Sequence, residues 1–243
     1  MTVSERANTD RQLRGPSDPA SLRLQILTTE HWSLLSTRSL TYSESLSRVV
    51  MFLSVLSAAV VALALMAQVD HLRETFTVAA ILMLAVVLFV GVATIVRLSE
   101  LNREDMRSVI GMNRLRRGYL DMHPELEPYF LTGCHDDLGG LMLTMGMDMM
   151  PGRWSARELA HGFQTLPAML GVIVGVVAGV VAALVAVWFG APTVIAVFAA
   201  AGAFVASVVA LGLLTRHAFT NFARRMPTRF PTGGNPYMAL GKP

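Results

Sequence analysis

From Thr28 to Gln68 the chain runs without a proline or a glycine, its first half patterned and its second half apolar. In the patterned half every third and fourth residue gives Trp32, Leu35, Ser39, Tyr42, Leu46 and Val49, the a/d spacing of a helix that packs on another helix. A matching series, Leu98, Leu101, Asp105, Ser108, Met112 and Leu115, leaves the next apolar run. Folding the second series back on the first sets Val49 against Leu98, Leu46 against Leu101, Tyr42 against Asp105, Ser39 against Ser108, Leu35 against Met112 and Trp32 against Leu115. Apolar then meets apolar and polar meets polar. The pattern predicts one long antiparallel helical hairpin over 28–122, half in a membrane and half standing in the cytoplasm as a stalk. In this register Tyr42 offers its phenol to the Asp105 carboxylate, which is costly in a seam without a partner, and so fixes the alignment. Glu44 falls opposite Arg103, and Arg48 near Glu100.

Four apolar runs follow: 49–68, 77–97, 166–189 and 193–215, with no ionisable side chain inside 49–67, 77–96, 166–189 or 193–215. About 20 helical residues cross a hydrocarbon core of roughly 30 Å, so each run predicts one transmembrane helix. The first pair is joined by the short loop 68–76 and the second by Gly190, Ala191 and Pro192. The expected fold class is an all-α membrane protein with four spans. Residues 1–27, with Gly15, Pro16 and Pro19 among mixed charges, read as a disordered tail. No signal peptide is visible ahead of the first apolar run. Pro124 and Pro128 should end the second long helix, leaving 123–165 as a connector, irregular to about 153. A short helix follows over 156–165, headed by a capping box of Ser155 and Glu158. Residues 216–243 form the C-terminal tail.

In the third run Gly171, Gly175 and Gly179 recur every fourth residue, and the fourth run offers Gly202, Ala206 and Ala210. Helices in lipid gain nothing from apolar contact alone and associate through close approach over small residues. These faces are therefore expected to hold the helices together, within a chain or in a homo-oligomer.

Composition sharpens the picture. Of 243 residues 53% are hydrophobic and only 15% charged, against about a quarter in soluble domains, which makes the lipid bilayer part of the solvent. The basic residues are nineteen arginines and the single Lys242, a bias that suits a GC-rich bacterial genome. They gather before the first run, between the second and third, and after the fourth, while the two short loops hold Arg73 alone. The positive-inside rule then puts both termini and the connector in the cytoplasm of a bacterial plasma membrane. A net charge of +3 gives no reason to expect nucleic acid. The lone Cys134 excludes an intrachain disulfide.

Candidate chemistry is sparse. Spans without ionisable groups argue against proton relays and ion-coupled transport. Ser54, Ser57 and Thr94 are expected to bond helix carbonyls. The one dense polar cluster is His123, Glu125 and Glu127, then Cys134, His135, Asp136 and Asp137, all metal-competent types. Four consecutive residues cannot all turn to one ion, and no second cysteine or HExxH accompanies them, so loop polarity is the expected reading. Met145, Met147 and Met149, flanked by Met142 and Met150, suit either Cu(I) or adaptable apolar contacts. No phosphate-binding loop, dinucleotide fingerprint or nucleophile elbow occurs, and no cofactor is expected.

The stretches EHWSLLSTRSL (Glu30 to Leu40), RVVMFLSVLSAAVVALALMAQ (Arg48 to Gln68), LNREDMR (Leu101 to Arg107) and PELEPYF (Pro124 to Phe130) resemble a group of uncharacterised bacterial four-span integral membrane proteins. The likeness covers about 25–140 and implies membrane residence. In outline alone the layout is similar to Orai-type calcium channels, but an acidic residue at the outer end of span one is missing, leaving only Asp70 and Glu74 in the outer loop. The sequence thus leads to a non-enzymatic scaffold or accessory subunit that meets a cytoplasmic protein partner through its stalk. The alternatives are an oligomeric channel lined by span one, with Asp70 near its mouth, and an enzyme built around His135.

Overall fold

The computed structural model of the chain describes residues 19–68, 73–146 and 166–232, the side chains at 73 and 74 excepted. These residues are helical almost throughout, with no strand among them: α1 (Pro19–Met66), α2 (Arg73–Met122), a 3₁₀ helix (Pro124–Tyr129), α3 (Leu138–Thr144), α4 (Leu166–Trp188) and α5 (Thr193–Arg224). Four of the helices, α1, α2, α4 and α5, are long and apolar enough to cross a membrane. The chain is an all-α, multi-pass membrane protein.

Several boundaries differ from the sequence expectation, and α2 begins at Arg73, inside the loop expected over 68–76. α1 starts at Pro19, inside the stretch read as tail, because proline is tolerated in a first helical turn where its missing N–H has no partner to lose. The fourth apolar helix runs on to Arg224, since nothing between Arg216 and Arg224 breaks it. The described part of the connector, 123–146, holds two short helices where none was expected: Pro124 stops α2 but seeds the 3₁₀ helix, and Asp137 caps α3 by accepting the Gly140 amide at 2.9 Å. The capping box and helix at 155–165 lie outside the described residues.

The chain divides into two compact units. Of the described residues, 40–68, 73–105 and 166–226 make the first, an apolar unit. Its core joins Phe52 and Ala59 of α1, Leu84, Val87, Ile95, Leu98 and Leu101 of α2, and Leu170, Val174 and Val177 of α4. Gly91 lets three helices meet: a Cβ there would stand 2.6 Å from Val174 Cγ2 and 2.9 Å from Phe52 Cε2. The turn from α4 to α5 is a Schellman motif. Gly190, at φ 77°, sends its amide to Val187 O, and the Ala191 amide reaches Ala186 O. Pro192 then caps α5.

Of the small-residue faces, the α4 half turns inward and the α5 half outward. Gly175 faces Phe204 and Val208, and Gly179 faces the Ala200 carbonyl, where a Cβ would come within 2.9 Å of the oxygen. Gly202, Ala206 and Ala210 are exposed. Gly171 and Gly175 are thus met by large side chains of α5 and Gly179 by the backbone at Ala200, not by Gly202, Ala206 or Ala210.

Charges gather where the apolar stretches of α1 and α2 stop. Glu44 Oε1 accepts from Arg48 Nε at 2.9 Å and from Arg97 Nη2 at 3.1 Å, while Arg97 also meets Glu100 at 3.2 Å and Glu104 at 3.6 Å. The expected alignments of Glu44 with Arg103 and of Arg48 with Glu100 are replaced by this cluster around Arg97. The pairs are half-exposed, so solvent screens them and they favour this register only weakly.

Residues 19–39, 106–146 and 227–232 make the second, more polar unit. Here the α1 stretch packs antiparallel to the α2 stretch: Leu34 Cδ1 stands 2.8 Å from where a Cβ on Gly111 would be, Leu27 Cδ1 3.4 Å from one on Gly118, and His31 stacks on Tyr119 with ring centroids 6.0 Å apart. Two leucines seven residues apart fit against two glycines seven residues apart. Val109, Ile110, Met112, Leu120, Leu141 and Met142 fill the interior.

The α1 seam read from the sequence is rotated by one residue. Trp32, Leu35, Ser39, Tyr42 and Leu46 are exposed, Trp32 by 64% and Tyr42 by 63%, so the Tyr42 phenol does not lie buried beside Asp105. In their place Leu27, His31, Leu34 and Arg38 are half-buried and Thr41 is buried. The reason is size. The glycines of α2 admit a close approach, and the smaller or more polar face of α1 uses it. On the α2 side Leu98, Leu101, Ser108 and Met112 are buried, and Asp105 and Leu115 half-buried.

Candidate functional site

The densest polar arrangement lies in the polar unit and draws together three stretches distant in sequence. α2 supplies Asn113 and Arg114, the loop leading into α3 supplies His135 to Asp137, and the segment after α5 supplies Pro227 to Thr232.

Asp136 is fully buried. Its carboxylate accepts the Phe230 amide on Oδ1 at 2.7 Å, and the Arg229 amide and Arg114 Nε on Oδ2 at 2.8 Å each. The Asp136 amide returns a bond to the Phe230 carbonyl at 3.3 Å, and Arg114 Nη2 reaches the Pro227 carbonyl. Asp137 extends the grip: beyond capping α3, it accepts the Thr232 amide at 2.8 Å and the Thr232 hydroxyl at 3.0 Å. The C-terminal segment is thereby strapped to α2 and α3.

Burial alone would raise both carboxyls. The amide bonds, with Arg114 for Asp136 and the Thr232 hydroxyl for Asp137, outweigh it, and both are held below the ordinary aspartate value of 3.8. Both aspartates are therefore ionised throughout the neutral range.

Asn113, also fully buried, fixes the loop that carries the aspartates. Its Nδ2 donates to His135 O at 2.9 Å and Gly140 O at 3.2 Å, while Oδ1 accepts from Arg116 Nη1 at 2.7 Å and Thr144 Oγ1 at 3.0 Å. All of its hydrogen-bonding directions are engaged. Gly140 is required where it stands, since a Cβ would lie 2.1 Å from the His135 carbonyl oxygen. Sequence reasoning passed over Asn113, Arg114 and Gly140. No local pattern announces Asn113 or Arg114, whose partners on the loop lie 22 or more residues away, and Gly140 is needed only because the loop folds the His135 carbonyl back onto it.

The metal-competent cluster is dispersed by this arrangement. Asp136 and Asp137 face amides, His123 Nδ1 pairs with Glu125 at 3.0 Å at the surface, and Cys134 Sγ lies 3.8 Å from His135 Nδ1. Among the described residues no three His, Cys, Asp or Glu side chains converge as a metal site would require. Met142 is buried in the unit's interior, while 147–150 lie outside the described residues. So does Asp70, and the Glu74 side chain with it. Ser54 and Thr94 bond the carbonyls of Val50 and Val90 one turn back, the ordinary habit of hydroxyls in apolar helices.

What the site does chemically is hold a main chain. Its acceptors face amides, and the guanidinium of Arg114 is shared between a carboxylate and a carbonyl. No family model, curated protein or solved structure matches this chain.

Proposed function

We propose that the protein is a non-enzymatic scaffold or accessory subunit of the bacterial plasma membrane. Both termini and the polar unit lie in the cytoplasm, and the α1 stalk meets a protein partner there. The observation that carries this reading is a contrast in the polar unit: its central polar groups, Asp136 and Asn113, are turned inward and bonded to backbone, while several large apolar groups are turned out. Asp136 and Asn113 are fully buried, whereas Ile26 is 60%, Trp32 64% and Leu131 98% exposed. An exposed tryptophan among aliphatic side chains is the composition of an interface core. The arginine distribution supports the orientation.

A channel lined by α1 is less well supported. The residues that α1 presents outward in its apolar stretch include Val50, Met51, Val60, Val61 and Leu65, and a pore walled by hydrocarbon would be dry. Self-association retains a face on α5, where Gly202, Ala206 and Ala210 meet lipid or another copy.

The test is a photoreactive amino acid placed at position 32, 35 or 109 of the protein in living cells. Discrete adducts from 32 and 35, and none from the buried 109, are expected. Silence at 32 and 35, together with single-channel currents from the pure protein in a planar bilayer, would replace the scaffold reading with the channel.

A further inference from the structure

The strap is gripped almost wholly by its main chain. The amides of Arg229, Phe230 and Thr232 donate to the two aspartates, and the carbonyls of Pro227 and Phe230 accept from Arg114 and the Asp136 amide. The side chains of Thr228, Arg229 and Pro231 are exposed and take no part. Pro231, which has no N–H, stands between the donors Phe230 and Thr232, at a position from which the carboxylates receive nothing. One side-chain bond adds selectivity, from Thr232 Oγ1 to Asp137, and the Phe230 ring is half-buried. The segment bends at Arg229 and Phe230, so two successive amides reach one carboxylate, and main-chain bonds of this kind give affinity while consulting few side chains.

We infer that Arg114, Asp136 and Asp137 form a receptor for a bent peptide in which an aromatic residue, a proline and a hydroxyl residue follow one another. Residues 227–232 fill it in cis, and the same segment from a second copy of this chain fills it in trans. A second copy carries the matching segment by identity. The strap is joined to α5 by Arg225 and Met226 alone, and a short hinge of this kind favours the exchange of identical elements between protomers. Copies inserted in one bilayer share orientation and depth, which raises the effective concentration of one strap at its neighbour's receptor. This inference does not depend on the scaffold reading.

The experiment uses the full chain in lipid discs, with a protease site inserted between Arg225 and Pro227. After cleavage of the folded protein, a fluorescent peptide of residues 226–233 in excess should replace the native fragment, giving saturable anisotropy. Asp136→Asn should weaken uptake at least tenfold, and so should N-methylation of the peptide's Phe230 amide. An alanine in place of Arg229 in the peptide should change it less than threefold. Absent uptake, or uptake indifferent to Asp136→Asn, would overturn the receptor. For the trans occupant, in a Cys134→Ser background, one tagged copy carries Asp137→Cys and a differently tagged copy carries Thr232→Cys. An oxidised heterodimer is expected. If these single-cysteine copies give none, while one chain bearing both cysteines closes on itself, exchange between copies is overturned.

Discussion

Replacing Asp136 by asparagine keeps the size of the side chain and removes its charge. The native carboxylate accepts the Arg229 and Phe230 amides and Arg114 Nε, with no exposed surface of its own. A carboxamide can present one oxygen, and its NH₂ group is then turned toward a donor. Hydrogen bonds to a charged partner contribute about 1.5 to 3 kcal/mol, and a buried donor left without an acceptor costs about 1 to 3 kcal/mol. The asparagine still serves part of the arrangement, so the free energy of opening the strap should fall by about 2 to 4 kcal/mol.

At 1.36 kcal/mol per factor of ten, amide exchange at Arg229 and Phe230 should accelerate about 30- to 900-fold in Asp136→Asn. The assay is hydrogen–deuterium exchange of the protein in detergent or lipid discs, read on peptides covering 227–232. Peptides from the apolar unit serve as the internal reference. Asp121→Asn is the matched control: it removes a half-exposed i,i+4 pair with Arg117, and such pairs contribute a few tenths of a kcal/mol. Exchange at 229 and 230 that stays within about threefold of the native protein in Asp136→Asn would refute the view that this carboxylate holds the strap.

Acid should release the strap in the same way. Both aspartates have folded values depressed below 3.8, so their contribution is complete at neutral pH and lost as pH falls below about 4 through the depressed values. Exchange at 227–232 should be flat from pH 7 to 5 once corrected for intrinsic rate, then rise, and more shallowly in Asp136→Asn, where one proton fewer is taken up. Gly140→Ala, which drives a methyl into the His135 carbonyl, should destabilise the polar unit by about 3 kcal/mol, read as a lower urea midpoint for the Trp32 fluorescence change. Gly179→Val should loosen α4 from α5 by about 1 to 3 kcal/mol in detergent, while Gly202→Val, with nothing within 4 Å, should be silent there. Cys134, the single and half-buried thiol, should react with a membrane-impermeant maleimide only in opened cells; labelling of intact cells would reverse the proposed orientation.

The four apolar helices could be read from sequence because each is a run of about 20 residues with no ionisable group, a requirement that lipid imposes locally. The face by which α1 meets α2 could not be read the same way. Heptad reasoning follows the largest apolar side chains, and in water those turn inward. Around α1 the largest ones, Trp32 and Tyr42, turn outward, and the contact is made by Leu27, His31 and Leu34. The signal that would have found it was on the other helix. Gly111 and Gly118, seven residues apart, mark where a second backbone comes close, and Leu34 and Leu27 are spaced to match. The same holds in the second pair: the glycines of α4 were legible as a contact face, but the side chains that fill it, Phe204 and Val208, are bulky.

The strap was illegible for a different reason. Its key bonds join residues 93 to 95 apart, between a loop aspartate and main-chain amides, and an amide carries no mark in the sequence. What the sequence did display was the cluster Cys134, His135, Asp136 and Asp137, whose types are metal-competent but were expected to be loop polarity. The structure separates these four by what each faces. Asp136 meets two amides and the Arg114 guanidinium, whose positive charge stands where a cation's would, and Asp137 meets two amides and a hydroxyl. A carboxylate with its oxygens filled by amides and a guanidinium is electrostatically satisfied, and a metal would have to displace three donors from Asp136 to bind it. The question to ask of an acidic pair in a loop beside a helix start is therefore which backbone it is positioned to collect. Here the answer is the one segment of the described chain that leaves α5 without a helical partner for its amides.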